Sequence, residues 1–306
     1  MEYRPEGSIF TTSTNQKYIS SPEGLAEAMR KGIILESRAV LCTSSHDLII
    51  ELPCAKGIIP RTEGAIGIEE GKTRDIAVIS RVNKIVCFKV KELEFVENSG
   101  ITAILSRKAA QEECIENYIS HMEKGDIIDA RVSHLEQFGS FVDIGCGVSS
   151  LIPIDCMSVS RISSPSDRFY VGQNIKAVVT DNKNGRIFLS HKELLGTWEE
   201  NAAKFKVGET VPGIVRSIED YGIFVELAPN LAGLTEAREG ITIGQSVSVY
   251  IKAVIPEKMK IKLVIVDVNC ESPSPAEYDY FIRSNNIKKW VYSSNGSEKL
   301  IQTVFK

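Results

Sequence analysis

The stretch "QFGSFVDIG" at 137–145 returns as "DYGIFVELA" at 220–228, with Gly139 and Gly222 standing 83 positions apart. Upstream, "KGDIIDARV" (124–132) and "VGETVPGIV" (207–215) keep that offset, from Gly125 to Gly208. Downstream, "VGQNIKAVV" (171–179) answers "IGQSVSVYI" (243–251) at an offset of 72, so the second copy lacks 11 residues in between. The deficit falls around "SVSRISSPSDR" (158–168), and loops absorb such losses far better than strands do. Self-similarity of this kind marks one supersecondary unit used twice, which limits the fold more tightly than composition can.

Alternation within the first copy gives its strands. Ile128, Ala130 and Val132 alternate with Asp129, Arg131 and Ser133, and Val142 and Ile144 alternate with Phe141 and Asp143. "SSLIP", "NIKAVVT" and "GRIFLS" follow, the last after the turn-forming "DNKNG". Five short strands in about 70 residues suit a small closed barrel. With Val142 and Ile144 inside, Phe141 and Asp143 point outward, because successive side chains take opposite faces. Gly139 permits the bend that brings Phe138 to the side of Phe141.

The chain has 306 residues, 43% hydrophobic and 25% charged, which is ordinary for several small globular domains. Its net charge of −4 excludes a polybasic nucleic-acid binder, so any such site must be local. Seven cysteines (42, 54, 87, 114, 146, 156, 270) form no CxxC, and four histidines show no metal-ligand spacing. Free thiols in a reducing cytosol are expected, with no metal. No secretory signal opens the chain, and no apolar run reaches the roughly 18 residues of a membrane helix. There is no P-loop, GxSxG, HExxH or dinucleotide fingerprint, so neither an enzyme, a cofactor nor a small-molecule substrate is expected.

The remaining segments complete a mainly β architecture of tandem five-stranded barrels joined by short helices. Residues 1–31 form an extension with one helix, "SPEGLAEAMRKG", capped by Ser21 and closed by Gly32. Residues 32–110 form a degenerate barrel without paired aromatics, its last strands drawn from "AVISRVNKIVCFKVKELEF" and "ITAILSRKAA". A linker helix covers 111–121, within a helical pattern that runs from 107 to 125. The first clear barrel spans 122–192. A second linker helix takes 193–204, where Trp198 reads as a packing anchor. The shortened barrel spans 205–268, and 269–306 is an extension of unknown fold.

The motifs "KGDIIDARV", "FGSFVDIG", "SSLIP", "VGQNIKAVV" and "GRIFLSHK", in this order and spacing, resemble the S1 domain. That is the RNA-binding OB-fold repeat named after bacterial ribosomal protein S1. "LIPIDCMSVSRISSPSDRFYVGQ" and "ILSRKAAQEE" resemble repeats of that ribosomal protein. The resemblance is good over 122–192, fair over 205–266 and weak over 32–110. It implies a cytoplasmic protein that binds single-stranded RNA, such as mRNA at the small ribosomal subunit, without reading base sequence. Carried over motif by motif, it implies an RNA site of Phe138, Phe141, Asp181 and Arg186 in the first copy. In the second it implies Tyr221 and Phe224. The family's usual histidine falls on Pro153, and in the second copy on Glu236; the aspartate there is Pro256 and the arginine Lys260. The 122–192 barrel is therefore expected to bind more strongly.

Physically, bases stack on exposed rings whatever their identity, at roughly 1–3 kcal/mol each. Arg186, Lys176 and Arg131 are the nearest cations for phosphate, with Lys260 in the second copy. Asp181 cannot attract phosphate; it accepts from a base or a sugar hydroxyl, or orients Arg186. Residues 122–195 carry eight Lys/Arg against nine Asp/Glu, and 196–268 eight against ten, so counterion release is small. Other uses of these residues stand beside this one. The rings could close a barrel mouth or pack against a neighbour, Arg186 could simply pair with Asp181, and His134 and His191 read as surface strand residues. A different class of function is a protein-interaction scaffold, in which degenerate barrels dock onto a ribosomal or other factor and RNA binding is vestigial.

Overall fold

The computed structural model describes residues 3–96, 100–183, 186–269, 278–282 and 284–305. Asn184 and Gly185 of the expected turn, and Cys270, lie outside the described residues. Backbone contacts divide the chain into two units, residues 1–122 with 143–149, and residues 123–142 with 150–306.

In the first unit, α1 (Ser13–Ile19) and α2 (Pro22–Lys31) precede the strands, so the extension holds two helices and not one. Thr12 caps α1 by accepting from the Asn15 amide. Ser21 caps α2 by accepting from the Gly24 amide at 3.1 Å, and Gly32 ends it at φ 64°, where a side chain would be strained. Strands β1 (Leu35–Cys42), β2 (Leu48–Glu51), β3 (Lys56–Ile59), β4 (Ile85–Val96) and β5 (Gly100–Ser106) close a barrel in the order 1-2-3-5-4. The sequence expected strand from Ala77 onward; residues Ile76–Ile79 instead form a helical turn, α3, and β4 starts at Ile85. Val78 is fully buried in this turn, against Gly64. Helix α4 (Arg107–Asn117) is shorter than its apolar pattern and gives way to a 3₁₀ turn at Ile119–His121.

A buried charge cluster organises this unit. The Arg107 guanidinium holds both Glu6 oxygens, at 2.6 and 3.1 Å, and the Cys87 amide donates to the same carboxylate. The Glu6 amide donates to Asp143 at 2.7 Å, and Gly145 and Gly147 donate to its other oxygen. Asp143 is therefore buried, where alternation placed it outside. Period 2 fixes the direction a side chain leaves a strand but not whether another segment covers it.

The second unit repeats the barrel twice. Strands β6 (Ile127–Glu136), β7 (Gly139–Asp143), β8 (Ser149–Pro153), β9 (Asn174–Lys183) and β10 (Arg186–Ser190) close one. After α5 (Trp198–Ala202), β11 (Thr210–Glu219), β12 (Gly222–Ala228), β13 (Leu231–Thr235), β14 (Ser246–Ile255) and β15 (Lys260–Asn269) close the other in the same order. Gly139 and Gly222 are required by space. A Cβ there would sit 2.5 Å from the Ile152 carbonyl oxygen and 2.3 Å from that of Thr235. Trp198 is buried in the core of the last barrel with Val215, Val225 and Val249.

The loop that the last barrel lacks carries a buried ion network. Arg168 donates to both oxygens of Glu226, Arg216 donates to the same pair at 2.9 and 3.2 Å, and Arg216 also meets Asp167 at 2.8 Å. The C-terminal segment packs along both barrels. Ile287 lies against Val178 and Leu194, Trp290 and Tyr292 join the core of the last barrel, and β16 (Lys289–Val291) pairs with β17 (Gln302–Val304). The segment also encloses His191, expected on the surface but wholly buried here. Rings of Phe169, Tyr278 and Tyr280 meet it edge-on. Its Nδ1 faces the Met157 carbonyl, which only accepts, so Nδ1 carries the proton and Nε2 accepts from Tyr280. Burial pushes this imidazole down to about 4.

Candidate functional site

Strand β7 begins at Gly139, and the chain folds back so tightly there that the two preceding and following aromatics leave on one side. Phe138 is 56% exposed and Phe141 half-buried, with centroids 6.1 Å apart and planes at 88°. Edge-to-face contact of this kind holds the two rings in a fixed mutual orientation. His134, on β6, lies nearly parallel to Phe141 at 6.4 Å and bonds Glu136 at 2.7 Å.

Around the barrel, β8 and β10 continue the outer face. Leu151 and Pro153 face outward between buried Ser150 and Ile152. Phe188, opposite Leu151 in the parallel ladder, is 39% exposed between buried Ile187 and Leu189. Antiparallel pairing sets Asp181 across from Phe188, and Lys183 across from Arg186. Asp181 and Arg186 thus share one face. They do not pair, however; Asp181 takes Lys183 at 2.8 Å and Lys124 at 3.3 Å. The Lys183 hydrogen bond, with the Lys124 charge, holds its carboxyl below the ordinary range. Arg186 is exposed and makes no ion pair among the described residues.

Lys176 does not join this group. It lies toward the other end of β9 and pairs with Asp129 at 2.9 Å, while its amide donates to Tyr280. Arg131 stands across from Asn174 and donates to the Gly172 carbonyl. The sequence reading passed over Lys124, Lys183 and Phe188. Phe188 was signalled by alternation in "RIFLS", whereas the two lysines become visible only once β9 and β10 are in register.

The last barrel repeats the aromatic pair almost unchanged. Tyr221 is 69% exposed, and its ring meets Phe224 at 6.2 Å and 89°. Its polar surroundings differ. Glu236 and Lys260 are exposed, and Lys262 stands opposite Leu234, where the middle barrel has Phe188 opposite Leu151. Among the described residues the first barrel carries no such pair. That unit instead contains a cavity of about 450 Å³, whose lining includes Tyr18, Glu36, Cys87 and Cys146. Glu36 accepts from the Gly7 and Ile9 amides at 3.0 Å each, and burial pushes its carboxyl up to about 7.

Among the described residues, the six cysteines are free and no group of three His, Cys, Asp or Glu side chains is placed to hold a metal ion. No helix among them is long and apolar enough to cross a membrane.

Residues 121–192 match the family model of the S1 RNA binding domain. The small ribosomal subunit protein bS1 of Staphylococcus aureus (strain COL) is 34% identical over 197 residues, covering 58% of this chain and 49% of that protein. The bS1 homolog of Bacillus subtilis (strain 168) is 32% identical over 215 residues, covering 64% and 55%. The bS1 protein of Staphylococcus saprophyticus is 32% identical over 235 residues, covering 70% and 56%. The chain therefore spans about half the length of the curated relatives it matches. Its middle barrel is similar to the S1 RNA binding domain, and over 58–70% of its length the chain resembles proteins of the bacterial ribosomal protein S1 family.

Proposed function

We propose that this chain is a non-catalytic, cytoplasmic protein that binds single-stranded RNA, above all mRNA at the small ribosomal subunit, without base-specific readout. The observation that carries the reading is the ring pair Phe138–Phe141 held edge to face at the surface of the middle barrel; Asp181 and Arg186, on the outward side of β9 and β10, are read as its polar partners. The rings stack bases, Arg186 meets phosphate, and Asp181 accepts from a base or ribose hydroxyl. Tyr221 and Phe224 act in the same way on the last barrel, with Lys260 as their cation. Arg131, which donates to the Gly172 carbonyl, and Lys176, paired with Asp129, are assigned at most a secondary part.

Two stacked bases supply roughly 2–6 kcal/mol before ordering costs. Most nearby cations are already paired with carboxylates, so the phosphate contribution is small and the salt dependence shallow. Linking two such barrels in one chain raises affinity through effective concentration. The test is fluorescence anisotropy with a labelled RNA of about 12 nucleotides, several bases beyond the smallest OB-fold site. Phe138→Ala/Phe141→Ala should lose most binding at both low and high salt; equal binding by variant and wild type refutes the site.

A scaffold reading is favoured by one observation, that the first barrel shows no outward aromatic pair among the described residues. A protein partner that stays bound after nuclease treatment, and binds the double variant equally well, supports it.

A further inference from the structure

We propose that Phe188 is a third base-stacking position, and that its place in the barrel decides which part of the RNA each barrel holds. This rests on the RNA-binding reading above and extends it to the strand's path across the protein.

An exposed phenylalanine on a short strand has no packing duty that explains it. Ile187 and Leu189 already serve the core, and Phe188 points the other way. It does not stand alone on that face. Leu151 lies opposite it on β8, and a Cβ added to Gly139 would come 3.0 Å from the Leu151 side chain. Leu151 therefore lies between the root of the Phe138–Phe141 hairpin and Phe188, in a row that runs across β7, β8 and β10. Strands lie about 4.8 Å apart, so β7 and β10 are separated by roughly 10 Å. One base does not cover that distance, and a base on Phe188 belongs to a different nucleotide from those on the ring pair.

The ammonium of Lys183 stands 5.8 Å from the Phe188 centroid while paired with Asp181 at 2.8 Å. Its charge is already engaged by a carboxylate, so this end of the site offers a ring more than a free cation. The last barrel reverses the arrangement. Leu234 sits beside Gly222 as Leu151 sits beside Gly139, with the added Cβ 3.1 Å away. Yet the residue opposite Leu234 is Lys262. Lys260 and Lys262 are exposed and make no ion pair among the described residues. Glu236, two residues beyond Leu234, weakens their field without neutralising both. The same ladder position thus presents a base-stacking surface on one barrel and a phosphate contact on the other.

The experiment is anisotropy of the full chain with a labelled 12-nucleotide RNA across a salt series, including Phe138→Ala/Phe141→Ala as reference. Phe188→Ala should weaken binding about 5- to 150-fold, the value of one stacked base, with no change in salt slope. Phe188→Leu, which keeps an apolar strand surface but no ring, should be weakened similarly. Phe188→Lys should steepen the slope by about 0.7, one phosphate contact, and Lys262→Phe should flatten it by the same amount. If the reference variant is weakened while Phe188→Ala binds like wild type, or Phe188→Leu restores full affinity, the third position is refuted and the RNA reading stands. If the reference variant itself binds like wild type, the RNA reading fails and this inference with it.

Discussion

The middle and last barrels share an aromatic pair to within 0.1 Å in separation and 1° in angle, at 6.1 Å and 88° against 6.2 Å and 89°. They share little else on that face. Elsewhere on the outer surface of the middle barrel are Asp181 with two lysines, Arg186, which makes no ion pair among the described residues, and Phe188. On the last barrel the corresponding strands carry Glu236, Lys260 and Lys262, the two lysines without an ion pair among the described residues. The ring geometry is a property of the hairpin. A glycine pressed against the next strand forces the turn, and the turn places the rings. The polar rim comes from other strands and is free to vary. Conserved ring geometry therefore does not by itself predict equal binding.

The strongest way to break this comparison is to remove each ring pair in turn. Phe138→Ala/Phe141→Ala should cost up to about 6 kcal/mol of RNA affinity, and Tyr221→Ala/Phe224→Ala less. Anisotropy with one RNA decides it, and equal losses would show that the rim is irrelevant. Next in size is Glu226→Ala, which strands two buried guanidiniums. It should destabilise the second unit by about 3–5 kcal/mol in urea unfolding. If Glu226→Ala unfolds at the wild-type midpoint, the network does not hold the missing-loop side of the last barrel in place.

The third prediction concerns pH. Folding holds His191 neutral down to about 4, whereas the unfolded chain protonates it near 6.5. The second unit should keep this stability above pH 6.5 and lose about 3 kcal/mol as pH falls toward 4. Trp198 and Trp290 fluorescence reports it, and His191→Gln should flatten the slope. In the first unit the sign reverses, because Glu36 is raised from 4.5 to about 7. Its contribution is full below pH 4.5 and is lost as pH rises to about 7, which hydrogen exchange of the β1 amides would resolve. Smallest is Glu236→Gln. Removing one exposed charge should strengthen RNA binding by no more than about 1 kcal/mol, at low salt only. An equal gain at high salt would mean that Glu236 acts by contact rather than by charge.

Much of the architecture was legible in the chain itself. Repeat spacing and period-2 alternation identified barrels, because a barrel strand must alternate between core and solvent wherever it lies. The same rule placed Phe141 outward and Val142 inward, and the Gly-centred turn put Phe138 beside Phe141. Where alternation failed, something distant in sequence covered the strand. Asp143 is buried because the Glu6 amide bonds it, and His191 because Tyr278 and Tyr280 close over it, 137 residues and nearly 90 residues away respectively. The partner of Asp181 was likewise beyond reach, since choosing Lys124 and Lys183 over Arg186 depends on strand register and side-chain length. Local pattern thus determined which way each side chain leaves the backbone. Only the tertiary fold decided what it meets, because that depends on segments brought together from far along the chain.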